Sequence, residues 1–141
     1  MRHTIALSAA ALAGLTTAAS AQKPKASIQL ADVAGAWVSK TMVGPKDSVV
    51  GTVLFTTTAD GKGSTMTFPN HQQVAVRVVS VAGDSVVTEA GPFPSYLRPG
   101  QTVTLLHIVG HYKGDEMWGT GVAQYASGDK LIFKTKATRR K

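Results

Sequence analysis

The sequence predicts an all-β protein: a small up-and-down antiparallel barrel of about eight strands, with a short N-terminal helical turn. Three observations point there. From Gly35 onward, Val, Thr and Ile recur in segments of strand length. Gly, Asp, Asn, Pro and Lys fall between those segments, in links short enough to join antiparallel neighbours. Within several segments apolar and polar residues alternate, the pattern of a sheet with one buried face. Closing such a meander on itself removes its exposed edges.

The chain opens on an export pattern. Met1–Arg2–His3 is a short basic start, Thr4 to Thr17 is mostly Ala and Leu, and Ala19–Ser20–Ala21 is the small-x-small sequence a signal peptidase accepts. The apolar run is Thr-interrupted and shorter than the roughly 20 residues of a spanning helix. The expectation is a cleaved signal over residues 1–21 and a mature chain that begins at Gln22 and works in the periplasm or the medium. Cleavage after Ala21 of a 141-residue chain leaves 120, enough for one domain with a real core. The chain has no cysteine, so an exported domain of this size relies on packing and strand pairing in place of disulfides. Gln22 stands where a lipoprotein would carry its lipidated Cys, and no later segment reads as a transmembrane helix, so the mature chain is expected to be soluble.

Residues 22–28 read as a polar, disordered leader, residues 29–138 as the barrel domain and residues 139–141 as a basic tail. Gln29 to Ala34 reads as one helical turn. Strands are expected at about 36–43, 48–58, 63–68, 73–82, 85–90, 101–112, 117–126 and 130–137. Asp60–Gly61 suits a tight hairpin, because both positions tolerate positive backbone angles. Gly83–Asp84, Gly114–Asp115 and Gly128–Asp129 repeat a Gly-Asp turn at strand ends. Val43–Gly44–Pro45–Lys46–Asp47 is a Gly/Pro turn, and residues 68–71 and 91–100 are longer connections. By alternation, Trp37, Ser39, Thr41 and Val43 share an inner face, against Val38, Lys40 and Met42 outside. Val74, Val76 and Val78 oppose Ala75, Arg77 and Val79, while Val103 to Val109 is apolar on both faces.

Leu30 to Trp37, with Gly35 and Trp37 in a Gly-x-Trp triplet after a helical turn, resembles the opening of a lipocalin-type barrel. The resemblance implies that Trp37 plugs the closed end and that a basic side chain after the last strand, Arg139 or Arg140, packs over it. Gly91–Pro92–Phe93–Pro94–Ser95–Tyr96–Leu97–Arg98–Pro99–Gly100, followed by Gly114 to Gly119, resembles small exported lipocalin-like bacterial proteins. Two departures set the chain apart. It ends almost at the last strand, without room for the flanking helix of larger lipocalins, and it lacks their Thr-Asp-Tyr signature.

Little in the sequence speaks for catalysis. There is no Gly-x-Ser-x-Gly elbow, no Ser-x-x-Lys motif and no thiol nucleophile, so no catalytic residue is assigned. Asp47, Asp60, Asp84, Asp115 and Asp129 each fall at a turn, where Asp has a structural reason to be. His107 and His111 on one strand would lie about 13 Å apart, too far to share a metal, and neither a metal nor a cofactor is expected. The expected function is an exported, non-enzymatic protein that holds a small apolar or amphipathic molecule. Phe55, Val76, Leu105, His107 and Phe133 would line the wall and Tyr96 would sit near the rim. One alternative is a ligand-free interaction module with a filled interior; another is a barrel enzyme using His107 and Glu89 inside the lumen. The glycines Gly119 and Gly121 either mark a bent corner or leave room for a ligand. The net charge of +7 falls to +6 when Arg2 leaves, and it gathers at the ends, in Lys23, Lys25 and residues 134–141. Such tails allow weak contact with an anionic surface. The basic residues are not interleaved with stacking aromatics, so nucleic-acid binding is not expected.

Overall fold

The computed structural model describes residues 27–141. The expected signal and most of the leader lie outside them. A four-residue helix, α1 (Leu30–Val33), leads into nine strands: β1 (Gly35–Val43), β2 (Ser48–Thr57), β3 (Thr65–Thr67), β4 (Gln73–Ala82), β5 (Ser85–Ala90), β6 (Phe93–Pro94), β7 (Thr102–Lys113), β8 (Glu116–Tyr125) and β9 (Lys130–Arg139). All pairings are antiparallel. β1 to β5 form a meander, β7 to β9 form a second, β9 returns to β1, and β5 pairs with β7 to close the ring. The result is a closed eight-stranded barrel. β6 is an added two-residue strand that pairs with β7 alone among the described residues, hidden in sequence between Pro92 and the Pro94 that ends it.

Alternation decides what fills the barrel. Trp37, Ser39 and Thr41 of β1, Val76 of β4, Val86 and Ala90 of β5, and Phe133, Thr135 and Ala137 of β9 are buried, whereas Lys40, Arg77, Lys134 and Lys136 point outward. β7 departs from simple alternation. A bulge shifts the register between Val103, opposite Tyr125, and Leu105, opposite Gln124. The extra residue, Thr104, flips the parity, so Val103, Leu106 and Ile108 are buried inside.

The core falls into two clusters that share Phe55 at their border. One closes an end of the barrel. Trp37 is 1% exposed; its indole Nε1 donates to the Val33 carbonyl at 2.9 Å, and the Tyr112 ring meets it edge-on at 5.2 Å. Arg139, the last residue of β9, lies 4.5 Å above the indole. Its guanidinium donates to the carbonyls of Asp32 and Ala34 and to the Asp115 carboxylate, tying α1, the β7–β8 turn and β9 together. Arg139, and not Arg140, therefore covers the plug. Gly35 adopts φ +122, a backbone conformation that calls for glycine, and the Arg139 guanidinium lies 3.4 Å from where a Cβ would stand. Ile28 packs onto this end and donates its amide to Gly83 at 2.8 Å, so the end of the expected leader is docked. The second cluster, larger and richer in aromatics, fills the other half.

Candidate functional site

The barrel half away from Trp37 contains an apolar cavity of about 50 Å³. Its wall is built by inward side chains of β1, β2, β3, β7, β8 and β9, among them Thr41, Val53, Phe55, Leu106, Ala123 and Phe133. The connection from Gly91 to Gln101 lies over it and contributes Phe93, Tyr96 and Leu97. Among the described residues, no charged side chain lines it.

That connection is held from several sides. The Ser95 amide donates to the Gln101 carbonyl at 2.9 Å, and the Arg98 amide donates to the Ser95 hydroxyl at 3.0 Å. The Ser95 and Tyr125 hydroxyls are 3.1 Å apart. The Arg98 guanidinium stacks 4.5 Å over the Tyr125 ring and reaches the Asp129 carboxylate at 3.7 Å. On the other flank, Phe68 packs against Phe93 at 5.2 Å and against Tyr96 at 4.8 Å between ring centroids.

Tyr96 is the unusual member. Its hydroxyl is buried and, among the described residues, is the one buried side-chain polar atom without a hydrogen-bond partner. It sits over the Thr41–Gly51 strand pair, and a Cβ at Gly51 would stand 2.6 Å from it, so the absence of a side chain there admits the phenol. Burial pushes the Tyr96 phenol above its usual 10, and the nearby Thr41 hydroxyl draws it back in part without reaching hydrogen-bond geometry. An unpartnered buried hydroxyl is destabilising unless something satisfies it. Next to it, the Ser39 and Thr135 hydroxyls satisfy one another.

Of the side chains expected to line a ligand site, Phe55, Tyr96 and Phe133 come together around this cavity. Val76 is buried but lines a smaller space of about 20 Å³ between Phe55, Tyr112 and Met117. Leu105 and His107 require a correction. The bulge after Val103 turns both away from the lumen, and Leu106 takes the place at the cavity that alternation gave to Leu105. His107 does meet Glu89, its direct cross-strand partner, at 3.9 Å, but on the outer wall, with side chains 43% and 25% exposed. The lumenal acid–base pair that an enzyme would have used is therefore not formed. Sequence reasoning missed Val53, Met66, Phe68, Phe93 and Tyr125. Met66 and Phe68 lie on and beside a three-residue strand too short to show a period, Phe93 lies in the long connection, and Tyr125 is the last residue of β8, where its hydroxyl meets Ser95 of that connection.

The small-residue face of β8 points inward. At Gly121 a Cβ would stand 2.2 Å from the tip of the Phe133 ring, so that ring fills the space the glycine leaves. At Gly119 it would stand 2.2 Å from the Val109 carbonyl oxygen, a close backbone approach that marks a corner of the barrel. The reading in which these glycines leave room for a ligand is thus not met: at Gly121 the protein's own Phe133 ring takes the space, and at Gly119 the neighbouring backbone does.

Among the described residues no group of three or more His, Asp or Glu is gathered closely enough to hold a metal ion. The site is suited to surrounding an apolar group and offering it one phenolic hydroxyl. No family model matches the chain, nor does any curated protein or solved structure.

Proposed function

We propose that the chain is an exported binding protein whose barrel holds a small, mainly apolar molecule with one polar atom, the polar atom meeting Tyr96. The observation that carries this reading is the buried, unpartnered Tyr96 hydroxyl beside an apolar cavity. A polar handle in an apolar pocket fixes a ligand's orientation, and its desolvation is offset only when the ligand binds. The cavity of about 50 Å³ sets the scale. Pockets for drug-sized ligands run to about 300 Å³ and more, so any ring-sized guest enters by moving Tyr96 and its connection outward. Tyr96 is then both the contact and the gate.

A second reading has its own support. The small cavity, and the filling of the Gly121 space by Phe133, favour a barrel packed by its own side chains that acts as a ligand-free interaction module.

Native mass spectrometry of the protein taken from its own exported fraction, without refolding, separates the two. A chain mass beginning at Gln22, with an added mass that disappears on denaturation, supports the binding protein. A chain that retains Met1 removes the export reading. A bare mass that stays bare when the protein is incubated with small aromatic alcohols favours the filled module.

A further inference from the structure

The outer wall carries a constellation that the lumenal reading does not use. Strand register sets outward side chains in rows across the barrel. One row runs from Lys40 on β1 to Lys136 on β9, Trp118 on β8, His111 on β7 and Ser85 on β5. Lys40 and Lys136 are direct cross-strand partners, and like charges placed opposite each other destabilise a sheet. Among the described residues neither makes an ion pair, whereas neighbouring Lys134 reaches the Asp47 carboxylate at 3.2 Å. Trp118 is 44% exposed, although burial is the ordinary use of an indole.

Trp118 is also held in place. Its ring stacks on His111, with centroids 6.1 Å apart and planes 24° from parallel. The Asp84 carboxylate and the Ser85 hydroxyl each lie 3.0 Å from His111 Nδ1, which fixes the ring behind the indole. Trp118 and Lys136 form a ridge between two grooves. The larger, of about 510 Å³, also takes in Met42, Thr120 and the Lys134–Asp47 ion pair, which leaves Lys136 as its unpaired charge among the described residues. The smaller, of about 210 Å³, takes in Val38, Lys40, Thr138 and Glu116.

We propose that this wall is a binding site for an acidic oligosaccharide, with a pyranose ring on the Trp118 indole and its carboxylate between Lys40 and Lys136. An exposed indole offers a flat apolar surface to the C–H face of a sugar, and flanking threonine hydroxyls meet its hydroxyl groups. The anion relieves the repulsion between the paired lysines. Glu116 at the far side of the smaller groove directs the negative group toward the lysines and a neutral sugar toward itself. A nucleic acid fits less well, because one aromatic does not make a stacking series. A lipid surface fits less well, because Thr120, Thr138 and the lysines break up the apolar area around Trp118.

The test is calorimetric titration of the protein with oligogalacturonate at low salt. Saturable binding that weakens as salt rises, and that weakens about tenfold or more in Trp118→Ala and in Lys136→Gln, is the expected result. Both side chains are on the surface, and circular dichroism checks that each variant keeps the fold. The proposal is overturned by an absence of binding, by variants that bind as well as the parent, or by equal affinity for a neutral maltooligosaccharide. Equal or tighter binding to oligothymidylate or to phosphatidylglycerol vesicles overturns it as well, in favour of a nucleic-acid or membrane surface.

Discussion

The two halves of the barrel solve opposite problems. In the closed half the polar groups converge on partners: the Trp37 indole on the Val33 carbonyl, and the Arg139 guanidinium on two carbonyls and a carboxylate. In the other half, aromatic rings enclose a space they do not fill and leave the Tyr96 hydroxyl unpartnered. Buried polar groups that are fully satisfied hold a core in one arrangement, and those left unsatisfied weaken it locally. One end of the barrel thus fixes the fold, and the other keeps the capacity to change.

The sharpest way to break this contrast is to remove the plug. Trp37→Ala deletes a side chain that is 1% exposed and strands the Arg139 guanidinium above a void. A loss of about 3–5 kcal/mol in urea unfolding is expected, the range for a large buried aromatic. A loss below about 1 kcal/mol would mean that this end is not what fixes the barrel.

Alkaline titration probes the same end. Burial pushes the Tyr112 phenol up to about 12, against the opposing pull of Arg139. The folded state holds this proton more tightly than the unfolded chain, whose phenol ionises near 10. The associated stability is complete below pH 10 and is lost as pH rises from 10 to about 12. A rise of that size is worth roughly 3 kcal/mol. Tyr96 shifts in the same direction, so the measurement is the difference between the parent and Tyr112→Phe. The variant should lose clearly less stability across that window, and equal losses would refute the assignment.

Two glycines on one strand sharpen the comparison. At Gly119 an added methyl meets the Val109 carbonyl oxygen, which the β-ladder holds; at Gly121 it meets the Phe133 ring, which borders free volume. Gly119→Ala should lower stability by about 3 kcal/mol and Gly121→Ala by about 1 kcal/mol, the ends of the usual range for overpacking. Equal losses in thermal unfolding would show that the cavity half yields no more readily than the rest.

What was legible in the sequence follows the same division. Trp37, Ser39 and Thr41 alternate against Lys40 without a break until the irregularity after Thr41, so the inner face of β1 could be read directly. The Gly-Asp turns placed the hairpins because positive backbone angles there leave few alternatives. The cavity was less legible. Its assignment on β7 depended on a bulge after Val103, in a segment whose polar residues, Thr104 and His107, are three apart and so fall on opposite faces of an unbroken strand, although the bulge turns both outward. A shift of one residue reverses every side chain beyond it, which is why Leu105 and His107 were expected in the lumen. The Lys40–Lys136–Trp118–His111 row was invisible for a related reason. It draws on four strands, and only pairing register brings those residues side by side.

The smallest expected effect is also the most specific to the cavity half. Tyr96→Phe removes a hydroxyl that has no partner and keeps the ring that packs on Phe68. In the ligand-free protein the substitution should raise stability, by about 1 kcal/mol, because it deletes a buried group whose desolvation nothing offsets. Tyrosine-to-phenylalanine changes at partnered hydroxyls run the other way, so the sign is diagnostic. Ser95 and Tyr125 supply the control within the same cavity lining, since their hydroxyls lie 3.1 Å apart and Tyr125→Phe should destabilise. If the barrel is a binding protein, ligand should reverse the order for Tyr96: the free variant is the more stable form, and the bound parent overtakes it once the phenol has a partner. A variant less stable than the parent without ligand would mean that Thr41 or water already satisfies the hydroxyl, and the reason for placing a ligand's polar atom there would be gone.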